Sequence, residues 1–436
     1  MVKLHGKRKP AVVQAADKYR LKPTHISSTG DVLFGAIAGY ISKFLLHHGY
    51  KGNYGLGYTF SFPVAQTAIN KGTLIDWTKG FTATGVKGND VVELLDSALK
   101  NSGLTNVKVV SLDNDTTGTQ VALAYTDPNC DLGAILGTGT NVCLRVPVVM
   151  IKKDVNGYAG TFMIINMESG NFNKRLPRNK YDVKLDITSN NPGKQWEEKM
   201  VSGKYLGELT RIVLVALIRK YGVLGGRTFG LSKQNSFTTE DMSAIEADRS
   251  TNLWSTRSRM TRVGIKDISQ EEAKFVRSIC SIVSVRAAKI ATAVLAAAIT
   301  KIDPDLERAH TVAVDGSVFE KYPGFAARMH EWFIQIFGRE KAGQIKLQLT
   351  HDGSGIGAAI INAAASAANK SSSPVSLPKV DPTKTSSWKQ LKAIYSKVKK
   401  ITMPDMFMHD PDRFTKYSVR FGDLLVDYSK NLINDE

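Results

Sequence analysis

The chain has 436 residues, 42% hydrophobic and 8% aromatic, which excludes disorder throughout and suffices for more than one core. The net charge of +18 would suit a polyanion binder, but the basic residues are scattered, with small clusters at residues 7–9 and 397–400 and no interleaved aromatics. The expectation is a solvated surface that draws anionic ligands such as nucleotides, and no nucleic acid.

Cys130, Cys143 and Cys280 lack metal-ligand spacing, and their odd number argues against a disulfide framework, so no metal ligands are assigned. No apolar stretch is read as reaching the roughly 20 residues of a bilayer span, and MVKLHGKRKPAVV lacks a secretory core, so the expected location is cytoplasmic.

In chain order, AVVQAADKY reads as a strand. STGDVLFGAIAGYISKFLLHH then sets Val32, Phe34, Ile37, Ile41, Phe44 and Leu45 near helical spacing behind a Ser/Thr cap. YGLGYTFSFP is a second strand. DVVELLDSALKNSG is an amphipathic helix capped by Asp90 and closed by Gly103, followed by the strand NVKVVSL. A second α/β unit begins near residue 114 with a helix from Thr116 and a strand LGAILGTGTN. Next comes VCLRVPVVMIKKDVNGYAGTFMII, turned back as a hairpin at Asn156-Gly157. Residues 195–300 read as mainly helical. The strand TVAVDGS, the strand IKLQLTHDG and the helix GIGAAIINAAASAA follow. After Asn369 a Ser-, Pro- and Lys-rich linker leads to a module too small for a core of its own.

Asn114 and Asp115 end the apolar strand VKVVSL, where open α/β sheets place their ligands. Asp115 is therefore a general-base candidate, or it only caps the next helix. Three strand-end loops rich in glycine, LGTGTN, VAVDGSVF and HDGSGIGAAI, together suggest a cradle for nucleotide phosphate and adenosine, although each alone could be a tight turn. Ser61, Thr78, Lys79 and Glu168 suit a polyhydroxyl ligand. Glu208, a carboxylate in an apolar helix, is either a ligand or the partner of Arg211.

LGYTFSFPVAQTAINKGTLIDWTKGF, DNDTTGTQVALAYTDPNCDLGAILGTGTNVC, INMESGNF, EEKMVSGKYLGELTR, VAVDGSVFEKYPGF and DGSGIGAAIINAA resemble the eukaryotic hexokinase family over roughly residues 2–368. The resemblance implies the α/β, actin-like (ribonuclease H-like) ATPase fold, two lobes around a cleft. It also implies phosphoryl transfer from ATP, with Mg²⁺, to the 6-hydroxyl of glucose or a related hexose. Asp115 then matches the general base, and Ser61, Thr78, Lys79, Asn114, Asn141, Glu168 and Glu208 match the sugar-binding residues. Gly137, Thr138 and Gly139 match a phosphate loop. Asp315, Gly316, Ser317, Gly353 and Ser354, with Ser284, match the adenosine end. The corresponding segments are an incomplete small lobe at 1–113, a large lobe at 114–350, a helix returning to the small lobe at 351–369 and a linker at 370–387.

Family members carry a further glycine-rich phosphate loop ahead of the position of VKLHGK, and the chain begins just after it. The expected fold is N-terminally incomplete. A non-catalytic hexose- or nucleotide-binding module on the same fold is the alternative to an enzyme. Residues 388–436, with DPDRF and VDYSKN, are similar to the amino-terminal segment of glucose-6-phosphate isomerase, which implies fusion to or association with that enzyme but no isomerase activity.

Overall fold

The computed structural model describes residues 1–6, 9–152, 160–371, 382–384, 386–421 and 424–427. The chain divides into the units Met1–Ala368 and Asn369–Glu436.

In the first unit, β1 (Val2–Lys3) pairs antiparallel with β2 (Val12–Val13). Of AVVQAADKY only Val12–Val13 form a strand, where the apolar run gives way from Gln14 to polar and small residues. The parallel pair β3 (Tyr54–Thr59) and β6 (Val107–Asp113) lies beside the hairpin β4 (Val64–Ala68) and β5 (Lys71–Leu74). The helices Gly30–His47 and Val91–Asn101 pack on this side. Thr29 caps the first by accepting from Val32 N, and Asp90 caps the second by accepting from Val92 N. Their inward faces, including Leu33, Phe34, Leu95 and Leu99, bury against Val109 and Leu112. Each such side chain contributes roughly 1.5–3 kcal/mol of burial free energy.

A five-stranded sheet of order β11-β10-β7-β8-β9 carries the second core. β7 (Cys130–Leu136), β10 (His310–Asp315) and β11 (Ile345–Leu349) run parallel, while β8 (Thr140–Pro147) and β9 (Phe162–Asn166) are antiparallel neighbours. LGAILGTGTN is thus two strands joined by residues 137–139, not one. The Asn156-Gly157 turn lies outside the described residues, although the strands flanking it pair as a hairpin would.

The helices Gly203–Tyr221, Gln270–Ile302 and Phe325–Phe337 cover this core with Leu206, Ile212, Ile279, Leu295 and Phe333. Gln270–Ile302 is long and apolar enough to cross a membrane, which corrects the expectation that no stretch reaches that length. Its apolar residues are spent on the core, where Val276, Cys280, Ala287 and Ile299 are buried.

The helix Gly353–Ser371 connects the two cores. Its Ser354 O accepts from Thr59 Oγ1 at 3.4 Å, and Ala358 O would lie 2.3 Å from a Cβ placed on Gly57 of β3.

In the second unit, helices Ser386–Val398 and Met403–His409 precede the antiparallel pair β12 (Ser418–Phe421) and β13 (Leu424–Asp427). Helices end at Ser371 and begin at Ser386, at the two ends of the expected linker 370–387.

Replacing Gly57 with Ala forces β3 and the Gly353–Ser371 helix apart. A loss of ~2–4 kcal/mol in denaturant unfolding is the expected outcome, larger than an ordinary strand Gly→Ala change.

Candidate active site

The carboxyl ends of β6, β7 and β10 open on one cavity of about 340 Å³. Ser61, Thr78 and Lys79 line one wall. Asn114, Asp115, Asn141 and Glu168 line the centre, and Gly137, Thr138, Gly139, Asp315, Gly316, Ser317 and Ser354 line the far end. Nearly all of the residues singled out from sequence therefore meet in one place, although they come from segments up to 293 positions apart, from Ser61 to Ser354.

Asn114, not Asp115, is the N-cap of the helix Asp115–Ala124: its Oδ1 accepts from Thr116 N at 3.0 Å. Asp115 sits at the first helical position, where its Oδ1 accepts from Thr116 N at 2.8 Å and from Thr116 Oγ1 at 3.2 Å. Among the described residues its other oxygen, Oδ2, accepts no hydrogen bond, and Asp115 lines the cavity.

Amides order the neighbouring carboxylates. Asn141 Nδ2 donates to Asn166 Oδ1 at 2.7 Å and to Asn114 Oδ1 at 3.4 Å, and Asn166 Nδ2 donates to Glu168 Oε1 at 2.8 Å. Glu168 has φ 50°, a left-handed conformation that costs a non-glycine residue about 1 kcal/mol or more and that turns its side chain off the end of β9. Burial raises its carboxyl above the usual range, with Asp115 adding to the shift and Asn166 and Lys79 opposing it. Lys79, also left-handed at φ 56°, donates from Nζ to Ser61 O at 2.9 Å.

At the far end, Gly137 O accepts from Gly203 N at 2.8 Å and Thr138 O from Lys204 N at 3.2 Å, so two carbonyls of the 137–139 turn are tied to the start of a helix. Gly316 has φ 118°, and a Cβ there would lie 2.5 Å from the Leu136 carbonyl. Only glycine permits the β7 and β10 ends to approach this closely. Burial raises the carboxyl of Asp315 as well, with Asp352 and Asp115 adding to the shift.

Two assignments are corrected. Glu208 does not line the cavity: it is 3% exposed in a two-point pair with Arg211, at 2.6 and 2.7 Å, and also accepts from Asn235 N. Its helical face points into the second core, and an unpaired carboxylate there would not be tolerated. Ser284 is fully buried and donates to Glu246, itself paired with Arg328, so it belongs to an interior network. Gly353 stands one residue off the cavity, where Thr350 Oγ1 and Thr119 leave no room for a Cβ.

Sequence reasoning missed Glu198, Gln195 and Asn166. Glu198, on the short helix Trp196–Val201, accepts from Thr140 N at 3.3 Å and faces the cavity. Burial raises its carboxyl, opposed by Thr140, Lys79 and Lys204. The available signal was the pair Glu197-Glu198: adjacent helical positions face different ways, so one of the two carboxylates can face the cavity, but which one is set by the fold, which buries Glu197.

Two hexokinase family models match the chain, over residues 1–125 and 131–364. The chain belongs to the hexokinase family. It is 35% identical to Hexokinase-1 of Schizosaccharomyces pombe, over 83% of this chain and 75% of that protein, and 36% identical to Hexokinase-7 of Oryza sativa subsp. japonica, over 83% and 81%. Human Hexokinase-2 is 39% identical over 71% of this chain, a match that spans 34% of the human protein. A hexokinase from Schistosoma mansoni, solved in complex with glucose, superposes with a TM-score of 0.73 at 36% identity, covering 79% of this chain and 78% of that one. The α/β architecture is accordingly the actin-like ATPase fold of the hexokinases.

Two stability outcomes follow. Glu208→Ala strands Arg211 in the core, and a loss of about 3–5 kcal/mol in denaturant unfolding is expected. Asp113 lies beneath the site, where burial, with Asp115 adding, raises its carboxyl to about 8 although Thr59 donates to it. The folded chain then holds that proton more tightly than the unfolded one. Its contribution is fully present below pH ~4 and is lost as pH rises through about 8, at up to roughly 1.4 kcal/mol per pH unit. Asp113→Asn should flatten the unfolding free energy over this window, and an unchanged pH profile would refute the assignment.

Proposed function

We propose that this hexokinase-family chain binds a hexose, glucose foremost, between Asp115, Glu168 and Glu198, and transfers to its 6-hydroxyl the γ-phosphoryl group of ATP. The observation that carries the reading is that Asp115, one of whose carboxylate oxygens accepts no hydrogen bond among the described residues, shares one cavity with Ser61, Thr78 and Lys79 and with the 137–139 and 315–317 turns.

The roles follow from the groups present. Lys79, Thr78, Ser61 and Asn114 offer donors and acceptors for several hydroxyls, and Glu168 and Glu198 accept from others. Asp115 accepts the proton of the 6-hydroxyl as that oxygen bonds to the γ-phosphorus. The bond from the γ-phosphorus to the β,γ-bridging oxygen breaks, and ADP carries away that electron pair. Thr138 and the turn backbones of 137–139 and 316–317 meet the phosphates.

Asp352 and Asp115 add to the raised carboxyl of Asp315, so this end is short of positive charge. Carboxylate oxygens in such a setting fit Mg²⁺, with Asp315 the donor at the phosphate end. The ion would neutralise charge between phosphates and protein.

A non-catalytic hexose-binding module is the second reading, and it is favoured by glucose binding without glucose 6-phosphate formation. The similarity of residues 388–436 to the start of glucose-6-phosphate isomerase supports association with the enzyme that consumes this product.

Calorimetric glucose binding and a coupled assay of glucose 6-phosphate test the reading. Asp115→Ala should lower transfer by at least ~10²–10⁴-fold with glucose affinity little changed. Glu198→Gln should weaken glucose binding by about tenfold, whereas Glu208→Gln should not, because Glu208 does not line the cavity and is held by Arg211 and Asn235 N. Undiminished transfer in Asp115→Ala would remove the base.

A further inference from the structure

Away from the cleft, three potential ligands converge where the segment preceding the first long helix meets the end of that helix. Asp17 lies in the irregular stretch after β2, His47 is the last residue of Gly30–His47, and His48 is its C-cap. Asp17 Oδ2 is 3.1 Å from His47 Nδ1, and Asp17 Oδ1 is 3.0 Å from His48 Nε2, so each carboxylate oxygen serves one imidazole. The three ligand atoms lie within 4.8 Å of one another.

We propose that Asp17, His47 and His48 bind a divalent transition-metal ion, zinc above all, which clips the 14–19 segment to the C-terminal end of the helix. Two imidazole nitrogens and one carboxylate oxygen make a donor set that suits Zn²⁺, Co²⁺ or Ni²⁺ and disfavours Mg²⁺ and Ca²⁺, which take oxygen ligands. Ligand atoms about 2.1 Å from a tetrahedral ion sit roughly 3.4 Å apart, so the hydrogen-bonded spacings of 3.0 and 3.1 Å open slightly while the widest spacing among the three ligand atoms, at most 4.8 Å, closes by side-chain rotation of the exposed His47. The fourth position falls to water.

The surroundings hold two of the ligands in place. Tyr19 Oη donates to Asp17 Oδ2 at 3.0 Å, and Tyr19 is itself stacked on Tyr40 at 4.8 Å. His48 lies between the rings of Phe44 and Tyr50, at 4.7 and 6.0 Å. A carboxylate oriented by a neighbouring hydroxyl is the kind of support that tunes metal ligands. The side chains of Asp17 and His48 are 17% and 25% exposed, and that of His47 is 70% exposed, so the ion has an entry path from solvent past His47. On binding, each facing nitrogen gives its lone pair to the ion and its ring proton resides on the other nitrogen. An imidazole that starts protonated releases one proton to solvent.

The test is calorimetric titration of the chelator-treated full chain with zinc chloride near pH 7.5, with thermal unfolding alongside. One ion per chain and a rise in Tm are expected. His47→Gln, which alters an exposed side chain and leaves the fold intact by circular dichroism, should weaken zinc binding at least tenfold and remove the rise. Asp17→Asn should do the same, millimolar Mg²⁺ should not compete, and binding should fall at pH 5.5 as protons displace the ion. Zinc binding in His47→Gln equal to that of the parent, or no binding by the parent, would overturn the proposal.

Discussion

Carboxyl groups crowded into a confined space are the constraint on which the rest of this protein turns. Asp113, Asp115, Glu168, Glu198 and Asp315 share one region, and burial raises the proton affinity of Asp113, Glu168, Glu198 and Asp315. Such a cluster opposes folding unless amides, backbone N–H groups and a few cations hold it. Asn141 and Asn166 bridge it, Thr140 N and Gly316 N donate into it, and Lys79 supplies a nearby charge. The ligands proposed for the cavity relieve the same strain, since hydroxyls donate to carboxylates and a divalent cation neutralises them.

The fold serves this cluster by bringing backbones closer than side chains would permit. Gly57 lets the Gly353–Ser371 helix lie against β3, and Gly316 lets the ends of β7 and β10 meet. The first contact joins the two cores through Thr59 and Ser354, and the second shapes the turn region at the phosphate end of the cavity. Both glycines therefore position the site without contributing a functional group to it.

Much of this was legible in the residues. Strand ends that finish in polar residues identified Asn114, Asp115 and Asp315, because an apolar run marks the buried strand and the first polar residue after it marks the rim. Caps at Thr29 and Asp90 fell where their side-chain chemistry predicts. The errors share a cause. Glu208 and Glu198 both occupy helices ten positions apart, and pattern alone does not say which face of each helix meets the cavity. Ser284 was chosen by its neighbours along the chain, whereas its partners are Glu246 and Arg328, 38 and 44 positions away.

The sequence by itself determined the family, the alternation of strands and helices, and the kinds of group at the strand ends, because these depend on short-range periodicity and contiguous motifs. Only the tertiary structure decided that Glu198 faces the cavity while Glu208 is consumed by Arg211, that Asn166 links Asn141 to Glu168, and that Asp17 meets His47 and His48. A side chain's role depends on which partner reaches it across the fold, and that is set by packing rather than by position along the chain.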